Sequence, residues 1–195
     1  MRDDLNVMVD IDDVLFPWAD GIHEKCRVAG LHDIETYTSW SMWEDYGVEK
    51  EAWLEVVDKA TIDGFYQSAP YPHAVEALRS LRWWMGSTVA IHLVTARGMM
   101  AHADDIRRWT VEWVEDFAVP HDSLTFTKDK VRAQEKLGRF DYALDDGAHN
   151  FEALLENGIE AYLLDRPHNQ DVEAGDWRVY SVGEFVDIIV GGIHA

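Results

Sequence analysis

At 195 residues the chain is long enough for one α/β domain with an insertion, and two equal domains are less expected. It has no apolar run long enough to cross a bilayer and no secretory signal pattern at its N-terminus, so we expect a soluble, cytoplasmic protein. The formal net charge of −20 disfavours a nucleic acid polymer as partner, since such binding draws its affinity from Lys and Arg on phosphates.

Apolar runs of strand length recur along the chain and are separated by segments with helical periodicity. The five predicted strands are Leu5 to Val9, Val89 to Val94, Leu124 to Thr127, Tyr142 to Leu144 and Ala161 to Leu164. One helix is predicted to start at Pro72 and to end before Gly86, and Ala101 to Phe117 carries a single apolar stripe. This alternation predicts an α/β fold with a mostly parallel sheet and helices on both faces.

The segment between the first strand and Pro72 breaks this rhythm, because it is rich in aromatic residues but has no strong strand pattern. We predict that residues 15–69 form a small inserted helical cap and that residues 1–14 and 70–195 form the sheet domain. The sequence contains no Gly/Ser-rich linker, so we expect the cap to pack tightly against the sheet.

Acidic side chains crowd the predicted ends of two strands. Asp10, Asp12 and Asp13 follow the first strand, and Asp145 and Asp146 follow the short run YAL. Ligands of open parallel sheets bind beyond the carboxyl ends of the strands, so these groups are expected to meet. A lone Asp is most simply an N-cap or a turn residue. Two acidic strand ends favour a site for Mg²⁺, because like charges in a partly buried site repel and a hard cation offsets the repulsion.

Polar residues also follow the two strands between these acidic ends. Thr95 follows VAIHLV, and Lys128 and Lys130 follow LTFT. The order Asp-x-Asp, Thr, Lys, Asp-Asp resembles the four motifs of the haloacid dehalogenase superfamily of phosphatases, with Asp145-Asp146 similar to the fourth. The resemblance covers the sheet domain nearly end to end. It implies a Rossmann-like fold of the haloacid dehalogenase type and the activity of a phosphoric monoester hydrolase.

Three further stretches, GFYQSAPYPHAVEAL, TKDK and HNQ, are similar to the 5'(3')-deoxyribonucleotidases, above all to bacterial and phage members. In those enzymes the motif lysine follows an Asp in a T-x-D-K string. This favours Lys130, although spacing alone leaves Lys128 open. The resemblance implies a Mg²⁺-dependent enzyme that acts on a small-molecule phosphate monoester, a deoxynucleoside monophosphate.

The resemblance also assigns a role to each motif residue. Asp10 would attack phosphorus and form an aspartyl-phosphate. Asp12 would protonate the leaving oxygen and then activate water. Thr95, with the backbone N–H groups that follow it, and Lys130 would bind the phosphoryl group.

The expected Mg²⁺ ligands are Asp10, the backbone carbonyl of Asp12 and Asp146. Asp145 would lie behind them or serve as an alternative ligand. His149 and His168 are expected not to bind metal, because a hard-oxygen site needs no imidazole.

Substrate contacts are implied by the same resemblance. Trp18 and Phe65 fall where it places aromatic side chains against a nucleobase, which can stack on such rings. Ala96 is the small residue expected after the motif threonine. Arg97 is a cation that could reach the phosphate or a nearby acid, and Asp13 stands where many superfamily members have glycine.

Four other tryptophans are predicted to serve packing. Trp40 and Trp43 are plausible stacking residues as well, although they align poorly with the family. Trp43 and Trp53 are rather expected in the core of the cap, because aromatic residues of a small helical domain are usually buried. Trp83 and Trp84, outside the cap, are also expected to pack.

Alternative functions keep part of this chemistry. A sugar phosphate or another small metabolite would be hydrolysed by the same mechanism. A non-catalytic nucleotide-binding protein is disfavoured by the pair Asp10 and Asp12, since binding needs no acid-base residue. Base preference, the choice between 5' and 3' esters and the oligomeric state, a homodimer included, are left open by the sequence.

Overall fold

A parallel sheet of six strands runs through the part of the chain that the computed structural model describes, residues 5–31, 34–99 and 101–194. The strands are β1 Leu5–Val9, β2 Val89–Thr95, β3 Ser123–Phe126, β4 Tyr142–Asp145, β5 Glu160–Leu164 and β6 Arg178–Val179. The predicted domain ranges also include residues 1–4, 32–33, 100 and 195, which lie outside the described residues.

The strand order across the sheet is β3-β2-β1-β4-β5-β6. The chain moves outward from β1 to β3 and then crosses back to β4, so that Val9 of β1 lies opposite Leu93 on one side and Leu144 on the other. In open α/β sheets, ligands bind beyond the carboxyl ends of the strands where the order reverses. The residues that follow β1 and β4 therefore lie at the edge of the sheet that suits a ligand.

Helices cover both faces of the sheet, as predicted from the alternation of strand and helix patterns. They are α1 Trp18–Val28, α2 Met42–Asp45, α3 Lys50–Ile62, α4 Pro72–Met85, α5 Ala103–Asp116, α6 Gln134–Leu137, α7 Ala148–Glu156 and α8 Val182–His194. Among the described helices, none combines the length and the apolar character that crossing a membrane requires.

Two buried clusters fill the space between the sheet and its helices. Val7 and Val9 of β1 point into the larger cluster, and Met8 between them points into the smaller one with Phe151 of α7. This alternation follows from the two-residue period of a strand. The predicted parallel sheet with helices on both faces is thus confirmed.

Strand boundaries differ from the predicted ones by one residue or none at each end, except for β6, which was not predicted. This strand has only two residues, Arg178 and Val179, and it pairs with Leu163 and Leu164 of β5. A two-residue edge strand has too little apolar pattern to be detected from sequence.

The segment between β1 and α4 is helical, and its described residues contribute no strand to the sheet. Its aromatic side chains join the larger cluster: Phe16 lies edge-on to Trp113 of α5, with ring centroids 5.8 Å apart. Trp53 is buried and Trp43 is half-buried, so the expectation of core burial holds fully for Trp53 alone. The division into a separate cap and sheet domain stays a prediction.

The expectation that Trp83 and Trp84 pack was wrong. They lie next to one another on α4 and are 74% and 61% exposed. The apolar stripe of this helix, Ala74, Val75, Leu78 and Leu81, faces the core and turns both tryptophans outward, since the period of the helix allows only one buried face.

Gly21 makes the packing of α1 testable. A Cβ atom at Gly21 would overlap the ring of Phe65, which is itself buried against Phe16 and Tyr66. We expect Gly21→Ala to lower the free energy of unfolding by about 1 to 3 kcal/mol, although alanine is the better helix former. Chemical denaturation measures the change.

The matched control is Gly191→Ala in α8, where a Cβ atom would meet nothing within 4 Å. This substitution should raise the free energy of unfolding by roughly 0.5 to 1 kcal/mol. Equal effects of the two substitutions would contradict the close packing of α1 on Phe65.

Candidate active site

Carboxylates from two neighbouring strands meet at the reversal point of the sheet. Asp10 directly follows β1, Asp145 ends β4 and Asp146 comes next. One carboxylate oxygen from each of the three lies within 4.8 Å of the others, and all three side chains are buried. The expectation that acidic groups from the two strand ends come together agrees with this geometry.

Lys130 lies between two of these carboxylates. Its Nζ atom is 2.6 Å from Oδ2 of Asp10 and 2.5 Å from Oδ2 of Asp145. Burial works against the charge of this lysine, but the attraction of the two carboxylates outweighs it and raises the pKa of Lys130. Lys128 is exposed, so Lys130 is the lysine that reaches the acidic cluster.

The carboxylate of Asp10 is held at both oxygens. Oδ1 accepts a hydrogen bond of 2.7 Å from the backbone N–H of Ile11, and Oδ2 contacts Lys130. Burial raises the pKa of Asp10 well above its ordinary value; Lys130 counteracts this in part, and the neighbouring acids, first Asp145 and then Asp146, add to the rise. The single ammonium group does not fully compensate the charge of the cluster.

Asp145 is an orienting group. Its Oδ1 accepts hydrogen bonds from the backbone N–H of Gly147, at 2.9 Å, and from Nδ2 of Asn150, at 3.1 Å. Its Oδ2 accepts from Lys130. Asp145 thus has three donors on its carboxylate, and Asp10 has two. This arrangement is compatible with the predicted place of Asp145 behind the metal ligands.

Asp146 is held by two residues that follow β5. Nε2 of His168 lies 2.9 Å from Oδ2 of Asp146, and Nδ2 of Asn169 donates to the backbone carbonyl of Asp146 at 2.8 Å. Burial raises the pKa of Asp146, an effect that the hydrogen bond from His168 opposes. The HNQ stretch, which includes His168 and Asn169, was noted in the sequence, but nothing in the sequence identified Asp146 as the residue that it contacts.

Asp13 forms a second buried group with Asp146 and His168, again with ligand atoms within 4.8 Å. The backbone of Asp13 has φ of 54°, a left-handed conformation that glycine adopts most easily. This conformation explains why a glycine fits at this position. Burial raises the pKa of Asp13 well above its ordinary value, and the charge of Asp146 adds to the rise.

Thr95 ends β2 and is fully buried, with its hydroxyl oxygen accepting a 3.2 Å hydrogen bond from the backbone N–H of Arg97. Ala96, between them, is exposed. The Arg97 side chain turns to the acid rather than to open solvent: Nε donates to Oδ1 of Asp12 at 2.8 Å. Roles for Thr95, Ala96 and Arg97 in phosphate binding stay predictions.

The two predicted base-stacking residues differ in accessibility. Trp18 is half-buried, and its indole N–H donates to the hydroxyl of Tyr66 at 3.2 Å. Phe65 is only 5% exposed, so little of its ring is open to a base. Trp40 is 64% exposed and lies edge-on to His168, with ring centroids 5.0 Å apart; its spacing in the sequence did not reveal this contact.

A divalent cation fits this donor set. Asp10, Asp145 and Asp146 offer hard oxygen atoms at short mutual distance, and Mg²⁺ prefers such ligands. The cluster brings three carboxylates to the single ammonium group of Lys130, and the pKa values of Asp10 and Asp146 are raised by burial first and by the neighbouring acids in addition. A bound cation would relieve this excess.

Comparison with known proteins supports the fold. No protein-family model matches the chain, and no curated protein sequence matches it. Solved structures do: a haloacid dehalogenase-like hydrolase from Streptococcus pneumoniae superposes with a TM-score of 0.64 at 12% identity, covering 97% of this chain and 100% of its own.

Two further structures are similar over the same extent. A provisionally assigned phosphoglycolate phosphatase from Lactobacillus plantarum has a TM-score of 0.63 at 12% identity, covering 96% of this chain and 100% of its own. The L-2-haloacid dehalogenase from Xanthobacter autotrophicus has a TM-score of 0.59 at 13% identity, covering 95% and 98%. Identities this low establish a shared fold and not a shared reaction. The chain therefore has the haloacid dehalogenase-like fold.

The burial of Asp13, together with the nearby charge of Asp146, predicts a gain in stability from Asp13→Asn. When folding raises the pKa of a carboxyl group, the protonated group favours the folded state at a pH below its pKa in the unfolded chain, about 3.9. This contribution is lost as the pH rises through the pKa of the group in the folded protein. In metal-free protein at pH 7, we expect the free energy of unfolding of the variant to be about 1 to 3 kcal/mol higher than that of the wild type. This gain should shrink as the pH falls toward about 4.

Chemical denaturation in the presence of a chelator measures this difference at both pH values. Asp45→Asn is the control, because Asp45 also accepts hydrogen bonds from backbone N–H groups but lies near the surface. A gain for Asp13→Asn that is the same at both pH values would show that burial of charge is not its cause.

Metal binding is predicted to depend on Asp146. Millimolar Mg²⁺ should raise the thermal midpoint of the protein, because a ligand that binds only the folded state stabilises that state. The free energy of unfolding rises by about 2.7 kcal/mol when the ligand concentration is one hundred times the dissociation constant. Asp146→Asn should abolish most of the rise. Asp165→Asn should keep it, because Asp165 follows β5 in the same way but pairs with Arg178. An undiminished rise in Asp146→Asn would exclude this residue as a ligand.

Proposed function

We propose that this protein is a Mg²⁺-dependent phosphatase of the haloacid dehalogenase type that hydrolyses small-molecule phosphate monoesters. One observation carries the proposal: the buried ammonium group of Lys130 contacts Asp10 and Asp145 at once, at the carboxyl ends of β1 and β4. A fixed carboxylate beside a fixed cation is what attack on an anionic phosphoryl group requires.

Asp10 supplies the nucleophile. Its Oδ1 is oriented by the N–H of Ile11 and its Oδ2 by Lys130, so the carboxylate is held in place before the substrate arrives. A bond forms between an Asp10 oxygen and phosphorus while the bond from phosphorus to the ester oxygen breaks, which gives an aspartyl-phosphate and an alcohol. Water then attacks phosphorus and releases Asp10 and inorganic phosphate.

Asp12 moves the protons. It gives a proton to the leaving ester oxygen in the first step and takes one from the attacking water in the second. Its side chain is 28% exposed and that of Asp10 is 10% exposed, so Asp12 is the more accessible of the two to water and to the leaving oxygen. Thr95 at the end of β2 would donate its hydroxyl to the phosphoryl oxygens.

A cation would be held by Asp10, Asp146 and the backbone carbonyl of Asp12, with Asp145 behind them. When bound, Mg²⁺ would supply positive charge that lets the phosphate anion approach the carboxylates. The other contribution to this charge comes from Lys130.

A dehalogenase is the less favoured reading of the same fold. A halide leaves as a stable anion and needs no proton, so the first of the two tasks of Asp12, protonation of the leaving group, would be lost. A haloacid also carries less charge than a phosphate monoester, so its approach needs less help from a cation. Without a cation, the acidic group of Asp10, Asp145 and Asp146 is hard to explain.

Deoxynucleoside monophosphates are the proposed substrate class. The support is the placement of aromatic rings about the site. Trp18 donates a hydrogen bond to Tyr66, which lies beside Arg97. The exposed Trp40 contacts His168, which binds Asp146. Rings of this kind can stack on a base. A sugar phosphate fits the proposed catalytic residues equally well, but it has no aromatic face that could stack on these rings.

The proposal predicts that Asp10→Asn abolishes phosphate release. Because the amide cannot form the aspartyl-phosphate, turnover should fall on the order of 10³-fold or more, while circular dichroism and the unfolding transition show a folded protein. Asp165→Asn should stay within a few-fold of wild type. Phosphate release that survives in Asp10→Asn would refute Asp10 as nucleophile.

A substrate panel distinguishes the candidates. Deoxynucleoside monophosphates, sugar phosphates and an L-2-haloacid are incubated with and without Mg²⁺, and released phosphate or halide is measured. The proposal expects phosphate release that needs Mg²⁺ and is fastest with the nucleotides. Faster release from sugar phosphates would replace the substrate class, and halide release alone would overturn the phosphatase assignment.

A further inference from the structure

Arg97 is an arginine without contact to solvent. Its side chain is 0% exposed, and its charge faces one carboxylate, that of Asp12. Nε donates to Oδ1 of Asp12 at 2.8 Å, and Nη2 lies 2.7 Å from the same oxygen. A buried charge is costly unless it is paired, so this contact is what makes the burial of Arg97 tolerable.

Three aromatic rings surround the guanidinium group. Its central carbon lies 4.3 Å from the ring centre of Phe16, 5.0 Å from that of Tyr66 and 5.4 Å from that of Trp113. The negative faces of such rings attract a cation. Among the described residues neither Nη1 nor Nη2 makes a hydrogen bond of good geometry, and the approach of Nη2 to Asp12 is an ion-pair contact. The rings, and not further hydrogen bonds, therefore hold the rest of the group in place.

The contact uses only one of the two oxygens of Asp12. Both nitrogens of Arg97 approach Oδ1, and no described group donates a hydrogen bond to Oδ2. Asp12 is partly exposed, whereas Arg97 is not. The carboxylate is thus fixed at one oxygen and free at the other.

We propose that Arg97 is a positioning residue that holds Oδ1 of Asp12 so that Oδ2 faces the ester oxygen of the bound substrate. The proposal rests on the phosphatase function proposed above and adds a residue that acts through Asp12. Arg97 exchanges no proton. As the bond from phosphorus to the ester oxygen breaks, the proton on Oδ2 passes to that oxygen, and in the second step Oδ2 takes a proton from water.

This role predicts a dependence on the leaving group. An alkoxide is a poor leaving group and needs the proton, whereas 4-nitrophenolate leaves without one. We expect Arg97→Met to lower kcat/KM for a deoxynucleoside monophosphate by about 10²- to 10³-fold, within the range of about 10²- to 10⁴-fold that a general acid contributes. For 4-nitrophenyl phosphate we expect a loss of less than about 10-fold. A role of Arg97 in folding alone would lower both values equally.

Asp12→Asn should show the same selective loss, because both substitutions disturb one proton transfer. In Arg97→Met combined with Asp12→Asn, kcat/KM for the nucleotide should be no lower than in Asp12→Asn alone, since Arg97 has nothing left to position. Additive losses would overturn the proposal.

The control is Arg107→Met. Arg107 lies on α5, contacts the ring of Phe126 and has a buried Nε without a partner among the described residues. It contacts neither Asp12 nor the rings around Arg97, so its loss should affect both esters to the same extent.

Loss of one partner of a buried ion pair can unfold a protein. Arg97→Lys keeps the charge but approaches Oδ1 with one nitrogen in place of the rigid fork of two, and it should show a smaller loss with the same selectivity for the nucleotide. Equal loss on both esters in a folded Arg97 variant overturns this inference and leaves the phosphatase proposal intact. A wild-type protein that cleaves neither ester overturns both.

Discussion

The site depends on the repulsion among buried carboxylates and on the few positive groups that restrain it. Asp10, Asp145 and Asp146 lie close together where water is largely excluded, and in such surroundings like charges raise each other's energy strongly. Lys130 neutralises part of this charge and is held in return by it. The arrangement is stable only as a set, which is why each acid has its own donor: Ile11 for Asp10, Gly147 for Asp145.

The parallel sheet provides this set without special loops. Because the strand order reverses between β1 and β4, residues that follow the two strands lie side by side although they are far apart in the chain. Thr95 at the end of β2 and Lys130 after β3 extend the same edge on one side. The groups that we propose to be catalytic therefore lie at or near the ends of rigid elements, and rigid elements hold side chains more precisely than loops do.

Strand periodicity and motif order were enough to predict five of the six strands and the residues at the edge of the sheet. Asp10, Lys130 and Asp146 were placed correctly at that edge because each follows an apolar run whose length and direction the sequence makes clear. Such patterns describe a residue's neighbours along one element, not its partners across the fold.

Long-range contacts were accordingly the part that could not be predicted. The pairing of Arg97 with Asp12 and that of His168 with Asp146 join segments more than twenty residues apart. The exposure of Trp83 and Trp84 followed from which face of α4 the core selected. For Phe65, likewise, the sequence shows an aromatic residue but does not show whether its ring faces a ligand or the interior.

The aromatic enclosure of Arg97 makes the orientation of Asp12 depend on three separate parts of the fold. Phe16, Tyr66 and Trp113 come from the loop after β1, the turn before α4 and helix α5, so the enclosure is complete only when all three stretches have docked. Each docking closes a long loop, as does the pairing of β1 with β4 that places Asp10 beside Asp145. A chain that has its sheet, and with it the proposed nucleophile Asp10, but in which one of these stretches is displaced would still lack a fixed Asp12.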